Sequence, residues 1–533
     1  MKRYPSIFND VIGPVMRGPS SSHTAASVRI ASLARMLLGA KPVQALFEFA
    51  PDGSLATTYA GQGSDIGLAG GLLGYSLYDD RLPDSLERAR AEGLAIEFKI
   101  SDYAALHPST YKMTLWDAAG KRLSLLALST GGGMMEVIEV DTIPTDIQGD
   151  SFELLLFCAS PLSREQQEIL QAFADRCGSP SPLIHPLCAN IKSPVPFSEE
   201  FLKELRARFP QAILRRADPV LPTRWLPGCE VPFLTASQLT DHAKNHQQAE
   251  LWELAVLYES RRGAGSSHEV MGQMREIVTL IKASVASGKQ GTHYPDRILA
   301  AQAPKFCQAR ARLLQTGAMN SVMQAVLALM DVKSSMGVIV AAPTAGSCAA
   351  LPGAILGAAE SMGADDDACA KALLAAGLIG VFISQRSTFS AEVAGCQAEC
   401  GAASGMAAAG ITTLMRAPLE VSLQATSLAL QNILGMICDP VANRVEVPCM
   451  GRNVMAAVNA LACANMAVAG IPGVVPLDEV LATMDAVGKA IPRELRCTAL
   501  GGLSITPAAK AIEARLAAGR GLGTVPAILH KAT

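Results

Sequence analysis

Two kinds of hydrophobic pattern divide the chain. Up to about residue 145, short stretches such as 45–50, 95–100 and 111–117 alternate between apolar and polar positions. Such alternation is typical of strands with one solvated face. From about residue 240 onward, apolar residues recur instead at helical spacing, as in 271–288, and strand-like runs are scarce. The pattern predicts a multidomain protein with an α/β (α+β) N-terminal domain and a large all-α C-terminal domain.

The segment 146–240 has a different character. A strand-like run at 153–157 precedes a helical pattern at 163–177, and prolines interrupt the remainder. These features predict a small α/β module or spacer followed by a linker. Its His185, Cys188 and Cys229 lack the spacing of metal ligands, so we expect them to be structural. The predicted divisions of the chain are therefore 1–145, 146–240 and 241–533.

Composition narrows the functional class. Hydrophobic residues make up 50% of the chain, but the best candidate span, 368–384, contains Lys371 and is shorter than the roughly 20 residues that cross a bilayer. The net charge is −3 and no basic run stands out, so a nucleic-acid partner is not expected. The thirteen cysteines and the absence of an apolar secretory signal favour a reducing compartment. We expect a soluble, cytoplasmic protein with no membrane partner.

Four cysteines in the stretch 394–453 are candidate metal ligands: Cys396, Cys400, Cys438 and Cys449. The last two adjoin prolines that favour helix boundaries. A thiol at a helix N-terminus lies near unpaired N–H groups, which favour the metal-binding thiolate. The separations are too long for a zinc finger or a ferredoxin run. Spacing alone leaves two readings open, a cluster held in a preformed pocket or ordinary buried thiols in a helical core.

Two polar turns in the first 145 residues are candidate anion-binding sites. The first precedes a helical pattern and consists of Ser20, Ser21, Ser22, His23 and Thr24. Helix N-termini bind carboxylates or phosphates, although a well-capped helix would have the same sequence. The second is the glycine-rich turn Ser129, Thr130, Gly131, Gly132 and Gly133. It could bind an anion through backbone N–H groups or be a plain hairpin loop, and it lacks the lysine of a P-loop.

Several motifs resemble those of iron–sulfur-dependent L-serine dehydratases. Four segments resemble the β-type domain of that family: GPSSSHTAASVRI at 18–30, GSLATTYAGQGSD at 53–65, HPSTYKM at 107–113 and LSTGGG at 128–133. Three further segments resemble the family's α-type catalytic domain: AAPTAGSCAALPGAI at 341–355, AGCQAECGAASGMAAAG at 394–410 and CDPVANRVEVPCMGRN at 438–453. The resemblance covers about 1–145 and 245–515, in the family's order, and does not extend to 146–240.

The resemblance implies a lyase that converts L-serine to pyruvate and ammonia. It makes Cys396, Cys438 and Cys449 the ligands of a 4Fe–4S cluster, whose remaining iron acts as a Lewis acid on the substrate. His23 and His107 become candidates for acid–base catalysis. The implied substrate-binding residues are Ser20, Ser21, Ser22, Thr24, Ser129, Thr130, Gly131, Gly132, Thr344 and Ser347. We also expect a homodimer, with the active site between the N- and C-terminal domains.

The sequence departs from the family at two points. The family often has histidine in a Gly-His-Gly-Thr-Asp motif, where this chain has Gln62, which cannot be a general base. Some members are thought to supply a fourth cluster ligand from a C-terminal cysteine, whereas this chain ends in LHKAT. Cys400 and Cys497 are possible substitutes, and each could equally be a plain buried thiol.

Three alternative functions remain at this point. One is a related β-elimination on threonine, cysteine or another 3-substituted amino acid. Another is a dehydratase that uses pyridoxal phosphate, but the necessary lysine near a phosphate loop is not evident, and 288–291 is the nearest candidate. The third belongs to another class, a non-catalytic iron–sulfur sensor of redox state or oxygen, which would need a DNA-binding or partner surface.

Overall fold

The computed structural model describes residues 4–179, 182–245 and 250–519. The chain end at 529–533, where the sequence analysis noted the missing cysteine, lies outside these ranges. The strands are β1 Val15–Arg17, β2 Pro42–Phe49, β3 Ala95–Ile100, β4 Thr110–Asp117, β5 Arg122–Gly131, β6 Met134–Val140, β7 Ile143–Ile147, β8 Phe152–Phe157, β9 Leu183–His185, β10 Cys188–Ser193, β11 Ile213–Ala217 and β12 Val338–Val340.

The helices are concentrated in the second half of the chain. They are α1 Ala26–Leu38, α2 Leu55–Thr58, α3 Ser64–Leu73, α4 Ser85–Ala91, α5 Arg164–Arg176, α6 Glu199–Arg208, α7 Ala236–Asn245, α8 Leu251–Glu259, α9 Ser267–Gln290, α10 Ala303–Ala309, α11 Ala318–Ser334, α12 Ala350–Met362, α13 Asp366–Arg386, α14 Ala391–Ala394, α15 Cys400–Leu414, α16 Leu419–Gln431, α17 Cys449–Val468, α18 Leu477–Ala490 and α19 Pro507–Gly519. This distribution confirms the predicted fold class.

The N-terminal region is a six-stranded sheet covered by helices. Its strand order is β3-β2-β4-β5-β6-β7, and β2–β3 is the one parallel pair among these strands. Along β5 the side chains of Leu123, Leu125 and Ala127 are buried in the same core as α1, while the intervening positions are partly exposed. α1 packs closely on α3, since a Cβ at Gly71 would come within 2.4 Å of the Val28 carbonyl oxygen. Because α1 is held against α3, the turn at Ser21–Ala25, which leads directly into α1, is held in place as well.

The middle region has the βαββαβ topology of ferredoxin-like domains. Its antiparallel sheet has the order β11-β8-β10-β9, and α5 and α6 pack on one core with it. The strand and helix predicted at 153–157 and 163–177 correspond to β8 and α5, which starts at a Ser163 capping box. The sequence pattern did not indicate β9, β10, β11 and α6 in the proline-rich remainder, where Pro194 and Pro196 fall between β10 and α6.

The C-terminal region is a layered helical core built from small residues. α13 packs against α8, α9 and α15. Among the described residues, α13 is the one helix long and apolar enough to cross a membrane, but 78% of its apolar window is buried inside the protein. Its 21 residues exceed the length expected from the sequence. Packing within the protein therefore accounts for its hydrophobicity.

The start of the chain belongs to this helical core. The one-turn π-helix Ile7–Val11 packs in the same hydrophobic cluster as α8, α9 and α13. Ser6 Oγ donates a hydrogen bond to Glu259 Oε1 at 2.5 Å, and the Ile7 N–H donates to Glu259 Oε2 at 2.8 Å. Next, β1 pairs with β12 in an antiparallel ribbon. The segment before α1 is therefore held by the helical region at both ends.

Replacing Gly288 with alanine should destabilise the helical region. The added methyl group would lie 2.2 Å from the Ala328 carbonyl oxygen, so α9 and α11 would have to separate. Overpacking of this kind costs about 1–3 kcal/mol. Gly272→Ala on the same helix is the matched control, because no atom lies within 4 Å of its Cβ position and alanine favours helix by roughly 1 kcal/mol. Calorimetry should show a lower unfolding temperature for the first variant only; equal temperatures would contradict the packing argument.

Candidate active site and metal centre

The three predicted cluster cysteines come from three separate elements. Cys396 begins the one-turn helix Cys396–Ala398, which follows α14, and Cys449 is the first residue of α17. Cys438 lies in an extended segment, where its carbonyl accepts a hydrogen bond from the Cys497 N–H at 2.9 Å. All three cysteine side chains are buried. The fold therefore brings together thiols that are far apart in the sequence.

The donor atoms of three residues lie close enough to share a metal. Cys396 Sγ, Cys438 Sγ and a carboxylate oxygen of Glu399 are within 4.8 Å of one another. Hydrogen bonds with Cys396 and Cys497, together with burial, raise the pKa of Cys438 well above its ordinary value. Burial and the neighbouring Cys396 also raise the pKa of Cys449. Metal binding replaces thiol protons and relieves this crowding, so the donor set fits a metal or cluster.

A fixed cation lies beside these thiols. Arg452 Nη1 approaches Cys396 Sγ at 3.8 Å, and Nη2 donates to Asp439 Oδ1 at 2.8 Å. A guanidinium next to a sulfur stabilises its thiolate form. Buried thiolates with a nearby positive charge are the ligands that iron–sulfur clusters use. The residues present therefore fit the iron–sulfur centre that the sequence motifs imply.

The two cysteines proposed as substitutes for a tail ligand have different surroundings. Cys400 is the first residue of α15, and its Sγ accepts a hydrogen bond from Asn453 Nδ2 at 3.6 Å. Cys497 lies beside Cys438, and its Sγ accepts from Gln62 Nε2 at 3.4 Å. Gln62, which stands where the family often has histidine, therefore contacts a thiol next to the predicted ligands.

His23 lies at the centre of the hydroxyl-rich turn and is completely buried. Ser20 caps this turn by accepting a hydrogen bond from the His23 N–H. The ring atom Nδ1 lies 3.1 Å from both Ser20 Oγ and Ser22 Oγ, and Nε2 lies 2.8 Å from Thr58 Oγ1. Burial lowers the pKa of His23, and the Glu392 carboxylate opposes part of that shift. Burial and the Glu392 charge therefore act on the pKa of His23 in opposite directions, and burial has the larger effect.

Glu392 connects this turn to the helical region. Its carboxylate accepts hydrogen bonds from Ser22 Oγ at 2.7 Å and Ser390 Oγ at 2.8 Å, and it lies 3.7 Å from His23 Nδ1. Burial alone would raise the pKa of Glu392, but His23 and the two hydroxyl donors lower it below its ordinary value. Glu392 is on α14, one turn before Cys396. A carboxylate able to accept a proton thus lies between the turn and the cysteines.

The other residues of the turn attach it to its neighbours. Ser21 Oγ accepts a hydrogen bond from the Ala345 N–H at 3.0 Å, and Thr24 Oγ1 donates to the Gln62 carbonyl at 3.0 Å. Thr344 and Ser347 cap each other in the turn that contains Ala345. The structure therefore brings both predicted segments together, with Ser21 in direct contact with the 344–347 turn.

The predicted glycine-rich turn is a hairpin between β5 and β6 that packs on the same region. A Cβ at Gly131 would lie 2.8 Å from the Ser390 nitrogen, and one at Gly132 would lie 3.1 Å from the Pro343 carbonyl oxygen. Ser129 Oγ is buried without a hydrogen-bond partner among the described residues. Thr130 is exposed. The backbone of this hairpin thus packs against Ser390, which is one of the two serines that donate a hydrogen bond to Glu392.

A cleft of about 590 Å³ gives access to Glu392. His107, Arg493, Arg496 and Thr498 also line it. His107 Nδ1 accepts a hydrogen bond from the Ser109 N–H at 3.1 Å, so the proton of the neutral ring is on Nε2. Burial lowers the pKa of His107, and Glu392 opposes part of the shift. The cleft therefore contains a proton acceptor, a neutral imidazole and two cations.

Sequence reasoning missed Glu392, Glu399 and Arg496. Glu399 Oε1 accepts a hydrogen bond from Thr344 Oγ1 at 2.7 Å, and burial raises its pKa to about 7. Arg496 Nη1 donates to the Val393 carbonyl at 3.0 Å, while its Nε has no hydrogen-bond partner among the described residues. The available signal was that both glutamates are isolated acids in stretches of small residues next to Cys396.

Comparison with known proteins agrees with this geometry. The family model described as "Serine dehydratase alpha chain" matches residues 243–504. The probable L-serine dehydratase alpha chain of Bacillus subtilis (strain 168) is 33% identical over 290 residues, 54% of this chain and 96% of that relative. The corresponding alpha chain of Latilactobacillus sakei is 40% identical over 198 residues, 37% of this chain and 95% of the relative.

The beta chain of the same enzyme type matches as well. The probable L-serine dehydratase beta chain of Bacillus subtilis (strain 168) is 41% identical over 154 residues, 29% of this chain and 68% of that relative. The chain therefore belongs to the iron–sulfur-dependent L-serine dehydratase family, a family of lyases, with alpha-chain and beta-chain regions fused in one polypeptide. This confirms the resemblance found in the sequence.

Proposed function

We propose that this protein is an L-serine dehydratase of the cytoplasm, which eliminates water from L-serine and releases pyruvate and ammonia. The observation that carries the proposal is the hydrogen bond between Ser22 and Glu392. It brings the hydroxyl-rich turn of the beta-type region against the cysteine-bearing helices of the alpha-type region. An elimination that needs both a proton acceptor and a Lewis acid would take place where these two regions meet.

The proposed cofactor is a 4Fe–4S cluster held by Cys396, Cys438 and Cys449. Their donor atoms are buried and come from three elements, and Arg452 supplies a compensating charge. When bound, the cluster would provide a Lewis-acidic iron that makes the substrate hydroxyl a better leaving group.

Proton transfer is assigned to groups around the cleft. Glu392 accepts the α-proton of the substrate, because its carboxylate is ionised and faces the cleft. The C–H electron pair forms the new double bond while the C–O bond at the β-carbon breaks. His23 and the hydroxyls of Ser22 and Ser390 hold Glu392 in position. His107 carries its proton on Nε2, so it can hydrogen-bond to the leaving oxygen. The resulting enamine tautomerises and hydrolyses in water.

The substrate carboxylate is assigned to the cationic wall of the cleft. Arg496 Nε has no hydrogen-bond partner within the described part of the chain, and Arg493 lines the same cleft. A guanidinium binds carboxylates in a fixed geometry. The hydroxyls of Ser20 and Ser22 complete the polar surface around His23. Ser21, Thr24, Ser129, Gly131, Gly132 and Ser347 act by positioning these groups.

Anaerobic reconstitution with iron and sulfide, followed by a pyruvate assay, tests the proposal. L-Serine, L-threonine and L-cysteine should be compared as substrates. We expect activity with L-serine that requires iron and is lost in air. Preference for another amino acid would reassign the substrate. Air-stable activity with a pyridoxal phosphate absorption band, or a reconstituted cluster without any elimination, would contradict the proposal. A reconstituted cluster without elimination would favour a redox or oxygen sensor.

Light scattering on the same sample would test the expected homodimer.

Replacing Cys396, Cys438 or Cys449 singly with alanine should remove bound iron and abolish activity, because each thiolate would hold the cluster. Iron analysis after anaerobic reconstitution measures the first effect directly. Cys463→Ala is a matched control on α17, since Cys463 is buried in the helical core. We expect that variant to keep its iron. Wild-type iron content in any of the three ligand variants would refute that ligand.

Glu392→Gln should lower kcat by roughly 100-fold to 10,000-fold, because the amide keeps the shape of the side chain but cannot accept a proton. Ser390→Ala, which removes one hydrogen bond to the carboxylate, should have a smaller effect on kcat. The iron content should stay at the wild-type level in both variants. A Glu392→Gln enzyme with wild-type kcat would show that another group takes the α-proton.

A further inference from the structure

Glu399 lies among the cysteines in a way that the proposed reaction has not used. One of its carboxylate oxygens is within 4.8 Å of both Cys396 Sγ and Cys438 Sγ. The Cys396 thiol approaches Oε2 at 3.8 Å. Among the described residues, no lysine, arginine or histidine forms an ion pair with Glu399 within 4.0 Å, and the charge of Lys333 acts on it from a greater distance. A carboxylate in such a place needs a cation or a proton.

The surrounding residues fit this carboxylate closely. Thr344 Oγ1 donates to Oε1 at 2.7 Å, which leaves Oε2 on the side of Cys396. Gly346 lies against the same group, since a Cβ there would come within 2.5 Å of Oε1 and 2.8 Å of Oε2. Any other residue at this position would displace the carboxylate. The structure thus fixes one oxygen of Glu399 and directs the other toward the thiols.

We propose that Glu399 is a fourth protein ligand of the cluster, binding through a carboxylate oxygen the iron that Cys396, Cys438 and Cys449 leave without a thiolate. The inference rests on the cluster of the proposed function. Carboxylate oxygen is a harder and weaker ligand for iron than thiolate, so an oxygen of the substrate can replace it. The displaced carboxylate would remain hydrogen-bonded to Thr344.

Glu399 is better placed for this role than the two thiols considered from the sequence. Cys497 contacts Cys438 and Gln62, and Cys400 contacts Asn453. The group of donor atoms that lie within 4.8 Å of one another contains Glu399 beside Cys396 and Cys438, whereas Cys400, Cys497 and also the predicted ligand Cys449 lie outside it. Glu399 is also the residue before Cys400 at the start of α15, so a rigid helix holds its backbone.

The test compares the iron sites of the wild-type protein and Glu399→Gln after anaerobic reconstitution with ⁵⁷Fe. Mössbauer spectra of the wild type should contain one iron that differs from the others and changes when L-serine is added. In Glu399→Gln that iron should be lost first on brief chelation, as Fe²⁺, which lowers the iron content by about a quarter and leaves a three-iron cluster. One-electron oxidation of that product with ferricyanide should make the three-iron cluster visible by electron paramagnetic resonance. Glu360→Gln, an exposed change on α12, is the control and should behave as wild type.

Thr344→Val keeps the carboxylate but removes the donor that orients it. We expect iron loss at a rate between those of the wild type and Glu399→Gln, and this variant tests the idea even if Glu399→Gln does not fold. An unchanged distinct iron and unchanged chelation in both variants would overturn the proposal and leave the proposed function intact. Loss of the distinct iron in Cys497→Ser or Cys400→Ser, but not in Glu399→Gln, would assign the position to a thiolate. A wild-type protein that holds no cluster would instead refute the proposed function.

Discussion

The partly buried hydrogen bond between Ser22 and Glu392 is the interaction on which the site depends. The two residues are 370 positions apart, and the bond joins the turn before α1 to α14. Ser390 and His23 complete the shell around the carboxylate. A buried carboxylate without these partners would cost about 1–3 kcal/mol for each lost hydrogen bond, and more if its charge were left isolated. The region where the sheet and the helices meet is therefore polar, and its hydrogen bonds favour one relative position of the two segments.

The same region concentrates groups whose protonation depends on their neighbours. Cys438 lies against Cys396 and Cys497, and its hydrogen bonds with these two thiols raise its pKa. Burial raises the pKa of the Glu399 carboxyl to about 7 although the charge of Lys333 opposes that shift, and Arg452 is a cation beside Cys396. Sites of this kind are unfavourable for folding unless a positive centre compensates the charge. A buried group of residues that destabilises the folded state in this way is a candidate functional site.

The sequence was sufficient for the fold class and for the family, and insufficient for the acids. Alternation at 111–117 and helical spacing at 271–288 depend on local periodicity, so they predicted β4 and α9 well. Glu392 has no such signal, because its role depends on Ser22 at the far end of the chain. The complete burial of His23 also depends on residues far away in the sequence, so the motif located His23 but did not indicate that it is buried. Short strands between prolines, such as β11, were missed because they contain too few residues to show either apolar–polar alternation or helical spacing.

The attachment of Ser6 and Ile7 to Glu259 has a consequence for biosynthesis. Ser6 and Ile7 are translated before a partner that lies about 250 positions later, which at roughly 5–20 residues per second is a delay on the order of ten seconds or more. During that time Ile7 and Phe8 have no helical core to enter. The six-stranded sheet can fold earlier, but its leading segment can be fastened only after α8 has been translated. Fusion of the two regions keeps that late partner on the same polypeptide, at a fixed ratio of one to one.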